Sequence, residues 1–232
     1  MTAPWLVSMD WRETLFVHWP VDADALRPLI PRDLELDVME GSAWASIVAF
    51  SIAGARARGV PERLALRRFG EVNVRTYVTG RGIPGVWFLS LDAASAFTVR
   101  AGRSALHLPY YDARIDATWE NDACAYRLDR TDARGPAARF DANAHLANAE
   151  RLAPVGSLEH RLVERYSFFT VDRGGRTVRG DVLHAPWQLR DANVTVTGNT
   201  LLAAAGIATP AAAPLTHAST GVSARARYLV AR

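Results

Sequence analysis

The chain has 232 residues, of which 49% are apolar and 22% charged, the balance of an ordinary globular protein rather than a disordered or fibrous one. Its formal charge is +3, and every one of its 27 basic residues is arginine. With no lysine there is no side-chain Schiff base, no pyridoxal phosphate anchor and no Walker lysine. The single cysteine, Cys124, excludes an internal disulfide and cysteine-based zinc frameworks, and alternation around Ala125 and Tyr126 places it in a strand as a core thiol.

Arginines are scattered among acids, with Arg56/Arg58, Arg67-Arg68 and Arg225/Arg227 as the clusters, so no basic stripe points to nucleic acid. The longest weakly polar run, Leu201 to Leu215, is too short for a bilayer and carries Pro210 and Pro214. No positive region precedes an apolar stretch at the amino terminus. The expectation is a cytoplasmic chain with no membrane, nucleic-acid or cofactor partner.

Period two dominates from the start. Thr14 to Trp19 alternates, with Leu15, Val17 and Trp19 on one face and Phe16 and His18 on the other. Asp22 or Asp24 can cap a short helix through Leu26 to Leu29, which Pro31 stops. Leu34, Leu36 and Val38 suit a short strand, Gly41 a turn, and Trp44 to Ile52 a longer strand. Glu71 to Val78 and Val86 to Leu91 follow. Between them, Gly80-Arg81-Gly82-Ile83-Pro84-Gly85 fits the dinucleotide pattern, but a strand follows it where a helix is required, so the segment is a hairpin loop.

Ala94 to Leu106 has helical spacing. Strands are expected at Tyr110–Ile115, Ala117–Glu120, Ala123–Leu128 and Arg139–Ala149, with a loop at Thr131–Ala138. Leu158 to Arg165 makes a helical turn or two, Tyr166–Val171 and Thr177–Leu183 a hairpin about Gly174-Gly175, Gly198–Gly206 a helix and Val222–Val230 a final strand. This describes one mainly β domain over residues 1–232, barrel-like, with a few short helices.

The most chemical strand is Glu71-Val72-Asn73-Val74-Arg75-Thr76-Tyr77-Val78. Alternation puts Glu71, Asn73, Arg75 and Tyr77 on one face and the valines on the other. That polar face is either solvated or lines a barrel cavity, where it would converge on a ligand, and periodicity alone leaves both open. Glu71 and Arg75 are too far apart along a strand to touch, with Asn73 between them. The six histidines have no metal-binding spacing, so no metal site is expected from local pattern. Glu164-Arg165 suits an ion pair holding the Leu158 helix to the sheet, and Trp44, Trp87 and Trp187 suit packing.

Several spaced motifs carry a resemblance over nearly the whole chain. They are Trp11 with Phe16-Val17-His18-Trp19, Phe69-Gly70 running into the Glu71 strand, Leu108-Pro109-Tyr110-Tyr111, Glu164-Arg165-Tyr166 and His184-Ala185-Pro186-Trp187. Together they resemble the DUF2071 family, a YqjF-like group of bacterial proteins, which is in turn similar to the acetoacetate decarboxylase superfamily. The resemblance implies a mixed or antiparallel β-barrel or cone around a small-molecule cavity, and a homo-oligomer such as a dimer.

In those decarboxylases a Gly-Arg-Glu helix end leads to Pro-Lys-Lys, whose first lysine forms an imine. Here Gly102-Arg103 and Pro109 match, Ser104 replaces the glutamate, and Tyr110 and Tyr111 stand in place of the lysines. The imine chemistry is therefore gone, while a phenol can still donate a hydrogen bond or a proton. Adjacent strand residues face opposite ways, so one tyrosine at most faces the cavity, and the resemblance selects Tyr110.

Two functions stay open. One is a non-catalytic binding protein for a small organic anion, in which Asn73, Arg75, Tyr77 and Arg103 hold the ligand. The other is a lysine-independent acid–base enzyme acting on an oxo acid or oxygenated aromatic, with Glu71 as base and Tyr110 or His184 as acid.

Overall fold

A computed structural model describes residues 5–227 and 230–231. Among these residues thirteen strands form one sheet, with short helices at Ala23–Leu26 (α1), Ala96–Ala105 (α2), Leu158–Val163 (α3) and Leu201–Ala204 (α4). The strands are β1 Trp5–Val21, β2 Glu35–Leu36, β3 Ala43–Ala57, β4 Phe69–Gly80, β5 Ile83–Ala93, β6 Tyr110–Glu120 and β7 Ala123–Arg130. Then come β8 Arg139–Arg151, β9 Ser167–Val171, β10 Thr177–His184, β11 Leu189–Asn199, β12 Leu215–Arg227 and β13 Val230–Ala231.

The sheet closes on itself twice. One hydrogen-bonded circuit runs β5-β6-β7-β8-β11-β12-β1-β3-β4 and returns to β5. A second runs β12-β10-β9-β5-β4-β3-β1 and returns to β12. The two circuits share the wall β12-β1-β3-β4-β5. Pairing is antiparallel except β5 with β6 and β5 with β9. The expected mainly β, cone-like architecture is what the chain forms.

The shared wall explains the sequence of β3, whose first ten residues are all buried. A strand covered on both faces needs apolar residues at nearly every position. Ala45, Ile47 and Ala49 enter a packed core with Leu15, Val17, Val72, Val74, Leu128 and Phe140 inside the first circuit. Each fully buried residue of Leu, Val or Phe size adds about 1.5–3 kcal/mol of apolar transfer free energy. The first circuit is therefore filled. Cys124 belongs to this core, and burial pushes its thiol up to about 12, the behaviour of an inert thiol.

Two bulges change which side chains look into the second circuit. On β1, Glu13 and Thr14 together oppose Phe50, and Glu13 takes a positive φ of 56°. The extra residue flips side-chain parity, so that Met9 and Trp11 before it share a lumen with Phe16 and His18 after it. On β5, Leu89 is the extra residue between Ser90 and Phe88, which turns Val86 and Phe88 to the same side as Leu91.

Several sequence expectations move. Tyr110–Ile115 and Ala117–Glu120 are one continuous strand, and β11 at Leu189–Asn199 was not foreseen. Its opening residues, Leu189-Arg190-Asp191-Ala192-Asn193, do not alternate simply, because a register shift interrupts its pairing with β8. The helix expected over Gly198–Gly206 contracts to Leu201–Ala204, since Gly198 and Asn199 still pair with β8. The final strand begins earlier, at Leu215, and residues 228–229 lie outside the described residues. Asp22 does cap α1, accepting from the Asp24 amide at 2.9 Å.

Candidate functional site

The second circuit is not filled. It holds a cavity of about 140 Å³ into which Glu71, Asn73 and Arg75 of β4 project, together with Tyr110 and His184. The opposite face of β4, Val72 and Val74, belongs to the first core. The polar face of β4 is thus interior: Glu71 is 3% and Asn73 4% exposed.

Glu71 and Tyr110 form the deepest polar pair. The Tyr110 hydroxyl donates to Glu71 Oε2 at 3.0 Å. Burial raises the Glu71 carboxyl to about 8, the Tyr110 bond opposes that rise, and the nearby Asp92 carboxylate adds to it. Burial thus favours the protonated form of Glu71 far more than in an exposed glutamate, and brings its proton exchange close to neutral pH. Burial and the adjoining Glu71 also push the Tyr110 phenol well above its ordinary value.

Tyr110 is held by the end of α2. Ser95 caps that helix by accepting from the Thr98 amide, and the helix ends where His107 turns left-handed at φ 53°. A Cβ on Gly102 would overlap the Tyr110 ring, so glycine there is a packing requirement. Arg103 Nη1 donates to the Tyr110 carbonyl at 2.8 Å. The Gly102-Arg103 pair thus seats Tyr110, one residue through its ring face and the other through its backbone. Tyr111 points away, with the Arg130 guanidinium 4.0 Å over its ring. That guanidinium also makes a buried two-pronged pair with Asp92 at 2.6 and 2.8 Å.

Further along β4, Asn73 Oδ1 and Arg75 Nε are buried and have no hydrogen-bond partner among the described residues. Arg75 is otherwise anchored: Nη2 donates to the Leu162 carbonyl at 3.1 Å, and its guanidinium lies 5.7 Å from the Tyr77 ring and 5.9 Å from Phe16. Arg165 also lines the cavity and pairs with Asp37 at 2.7 Å. Glu164 instead accepts from the Trp187 amide at 2.8 Å and from the Tyr166 hydroxyl, so the Glu164–Arg165 ion pair expected from sequence does not form.

His184 stacks on Tyr166 at 4.5 Å and donates from Nδ1 to the Ala185 carbonyl at 2.8 Å, which leaves Nε2 as the lone-pair nitrogen. Desolvation lowers its pKa below the usual histidine value, and the Ala185 and Arg165 carbonyls partly restore it.

Tyr77 and Arg103, expected to touch a ligand, do not line the cavity. Tyr77 is fully buried below Arg75, its hydroxyl bonded to Ser46 Oγ at 2.7 Å and His18 Nδ1 at 3.1 Å. Arg103 acts on Tyr110 from behind. In turn, the sequence reading missed Trp11 and Arg165 as wall residues and took Trp187 for packing, although it lines the cavity. Glu159, Asp191 and His217 come together in a way no local spacing revealed, yet Arg151 already bonds both carboxylates at 2.7 Å. A cationic side chain occupies that cluster.

Comparison with known proteins gives the relationship. Residues 8–223 match DUF2071, described as an uncharacterized conserved protein. The chain belongs to the DUF2071 family. A relative in Bacillus subtilis (strain 168), the uncharacterized protein YqjF, is 38% identical over 213 residues, spanning 92% of this chain and 87% of its own. Among solved structures, acetoacetate decarboxylase from Legionella pneumophila superposes with a TM-score of 0.66 at 14% identity, over 100% of this chain and 90% of that one. The enduracididine biosynthesis enzyme MppR, complexed with the condensation product of pyruvate and imidazole 4-carboxaldehyde, gives 0.67 at 15% identity over 100% and 90%. At these identities the likeness establishes that this DUF2071 chain has the acetoacetate decarboxylase-like fold. Among the described residues no helix is long and apolar enough to cross a membrane.

Proposed function

We propose that this DUF2071 protein binds a small organic anion in the second circuit and acts on it by acid–base chemistry without an imine. The observation that carries the reading is one cavity wall presenting the Glu71–Tyr110 pair together with two buried atoms, Asn73 Oδ1 and Arg75 Nε, that have no partner among the described residues. Buried polar atoms without partners cost about 1–3 kcal/mol each, a cost that a ligand's carboxylate and polar group would relieve.

In this reading Arg75 binds the carboxylate through its free Nε–H. Glu71, neutral at pH 7 in its apolar setting, donates to a carbonyl or enolate oxygen, and Tyr110 buttresses it. A neutral carboxylic acid whose other oxygen is held by a phenol is a preorganised donor for an oxygen that gains negative charge. His184 Nε2 takes the proton from the carbon next to that carbonyl: the C–H bond breaks, N–H forms, and the electron pair moves onto oxygen. The roles of Glu71 and His184 are therefore exchanged relative to the expectation from sequence.

Solvent-deuterium exchange followed by proton NMR tests this. Carbon-bound hydrogens beside the carbonyl of bound oxo acids long enough to span Arg75 and Glu71, aryl-oxo acids among them, should exchange faster with the protein than in buffer. Glu71→Gln and His184→Gln should each abolish the acceleration. Tight binding with exchange no faster than buffer would instead assign a non-catalytic binding protein.

A further inference from the structure

Glu71 and Arg75 stand at two ends of the polar face of β4, with Asn73 between them, and their separation restricts what can bridge them. Glu71 and Arg75 are four residues apart on β4, about 13 Å along the strand. Their functional ends do not lean together. Glu71 turns to Tyr110, whereas the Arg75 guanidinium packs toward Tyr77, Phe16 and the Leu162 carbonyl. A short oxo acid carries its carboxylate and carbonyl on adjacent or next-adjacent carbons, so it reaches one end at a time.

The wall is rich in aromatic rings. Trp11 and Trp187 lie parallel within 4° at 5.9 Å, and His184 is tilted against both at 5.6 and 5.4 Å. Phe88 and Phe168 meet at 6.1 Å on strands β5 and β9. Aromatic faces and edges favour a flat ring over a flexible chain, because offset and edge-to-face packing adds to simple burial. The volume, about 140 Å³, is well below the roughly 300–1,000 Å³ of drug-sized sites and suits one substituted ring.

We infer that the ligand is an aromatic acid whose carboxylate meets Arg75 and whose phenolic or enolic oxygen, at the far end of the flat ring, meets Glu71, which Tyr110 holds in place. This rests on the reading of the cavity as an anion site and adds the frame that joins its two ends. The parallel Trp11 and Trp187 rings act as specificity-determining walls.

Calorimetry with 4-hydroxyphenylacetate, phenylacetate and pyruvate tests it. 4-Hydroxyphenylacetate should bind at least about tenfold more tightly than either of the others, one lacking the far oxygen and the other the ring. Trp11→Leu, at a half-buried position, and Trp187→Leu should each weaken the hydroxyaryl acid about fivefold to tenfold, a larger loss than either causes for pyruvate. Thermal melts of both variants identify any that misfolds, and Trp11→Leu carries the test if Trp187→Leu does. Pyruvate binding more tightly than both aryl acids, with its affinity lost in Arg75→Ala, would overturn the aromatic assignment and leave the anion site standing. Failure of all three acids to bind at millimolar concentration would overturn both.

Discussion

The Tyr110 hydroxyl meets Glu71 Oε2 at 3.0 Å inside a wall that leaves neither side chain more than 8% exposed. A bond made by residues 39 positions apart is the local expression of the whole double circuit: β4 supplies the acid, and the end of α2 delivers the phenol. The burial around the pair favours the protonated acid. Desolvation raises Glu71 to about 8, and a single phenol bond does not offset it.

That proton links Glu71 to stability. An unfolded glutamate titrates near 4.5, whereas the folded one does so near 8. Between those values the folded chain binds more protons than the unfolded chain. The stabilisation is present below pH 4.5 and is lost as pH rises through 8. Glu71→Gln removes this loss. Urea melts at pH 5, 7 and 9 should show wild type falling relative to the variant by about 3–5 kcal/mol over the full range. Parallel curves for the two proteins would mean that Glu71 is ionised in the fold.

Tyr110→Phe and Tyr111→Phe separate the two faces of β6. Removing the Tyr110 hydroxyl strips the donor from Glu71 Oε2 and raises the acid further. Anion affinity should drop about tenfold or more, the weight of one hydrogen bond to a charged or strongly polar group. Tyr111 lies under Arg130, outside the cavity, so its variant should change affinity less than twofold, within ordinary context effects. Equal losses would place both rings in the ligand's environment.

Gly102→Ala tests the seat of Tyr110. In an exposed helix, alanine for glycine gains about 1 kcal/mol. Here the new methyl meets the Tyr110 ring, so the same change should cost about 1–3 kcal/mol and weaken ligand binding. A melt at or above the wild-type temperature would show that the ring has room to move.

Absence of lysine gives a chemical prediction. Incubation with oxo acids and borohydride should leave no side-chain adduct in a peptide mass map, because no side-chain amine can form the imine. An adduct mapped to any side chain would restore covalent chemistry to this scaffold.

Much of the fold was legible because period two is a strong signal, and the polar face of β4 was visible as a face. Its destination was not. Whether Glu71, Asn73 and Arg75 meet water or a lumen depends on β5 pairing with both β4 and β9, a closure with no local trace. Trp11 escaped because the Glu13–Thr14 bulge flips parity between it and Phe16, and β11 escaped because its first residues do not alternate. Partial desolvation of Glu71 follows from its place on the polar face of β4, while the extent of that burial and the raised pKa it causes depend on the three-dimensional closure. Tyr77 shares parity with Arg75, yet its hydroxyl is captured by Ser46 and His18 below the cavity floor.

The central claim, that the second circuit holds an anion through Arg75, is tested most directly by titration calorimetry of wild type, Arg75→Lys and Arg75→Ala against aromatic and oxo acids. Arg75→Lys keeps the charge but loses the planar fork and its free Nε–H, so it should bind measurably more weakly than wild type. Arg75→Ala should bind at least about tenfold more weakly, in line with the loss of a charge-assisted hydrogen bond. If every acid that binds wild type binds Arg75→Ala with unchanged affinity, Arg75 is a structural tie to the Leu162 carbonyl and the cavity does not recognise anions through it.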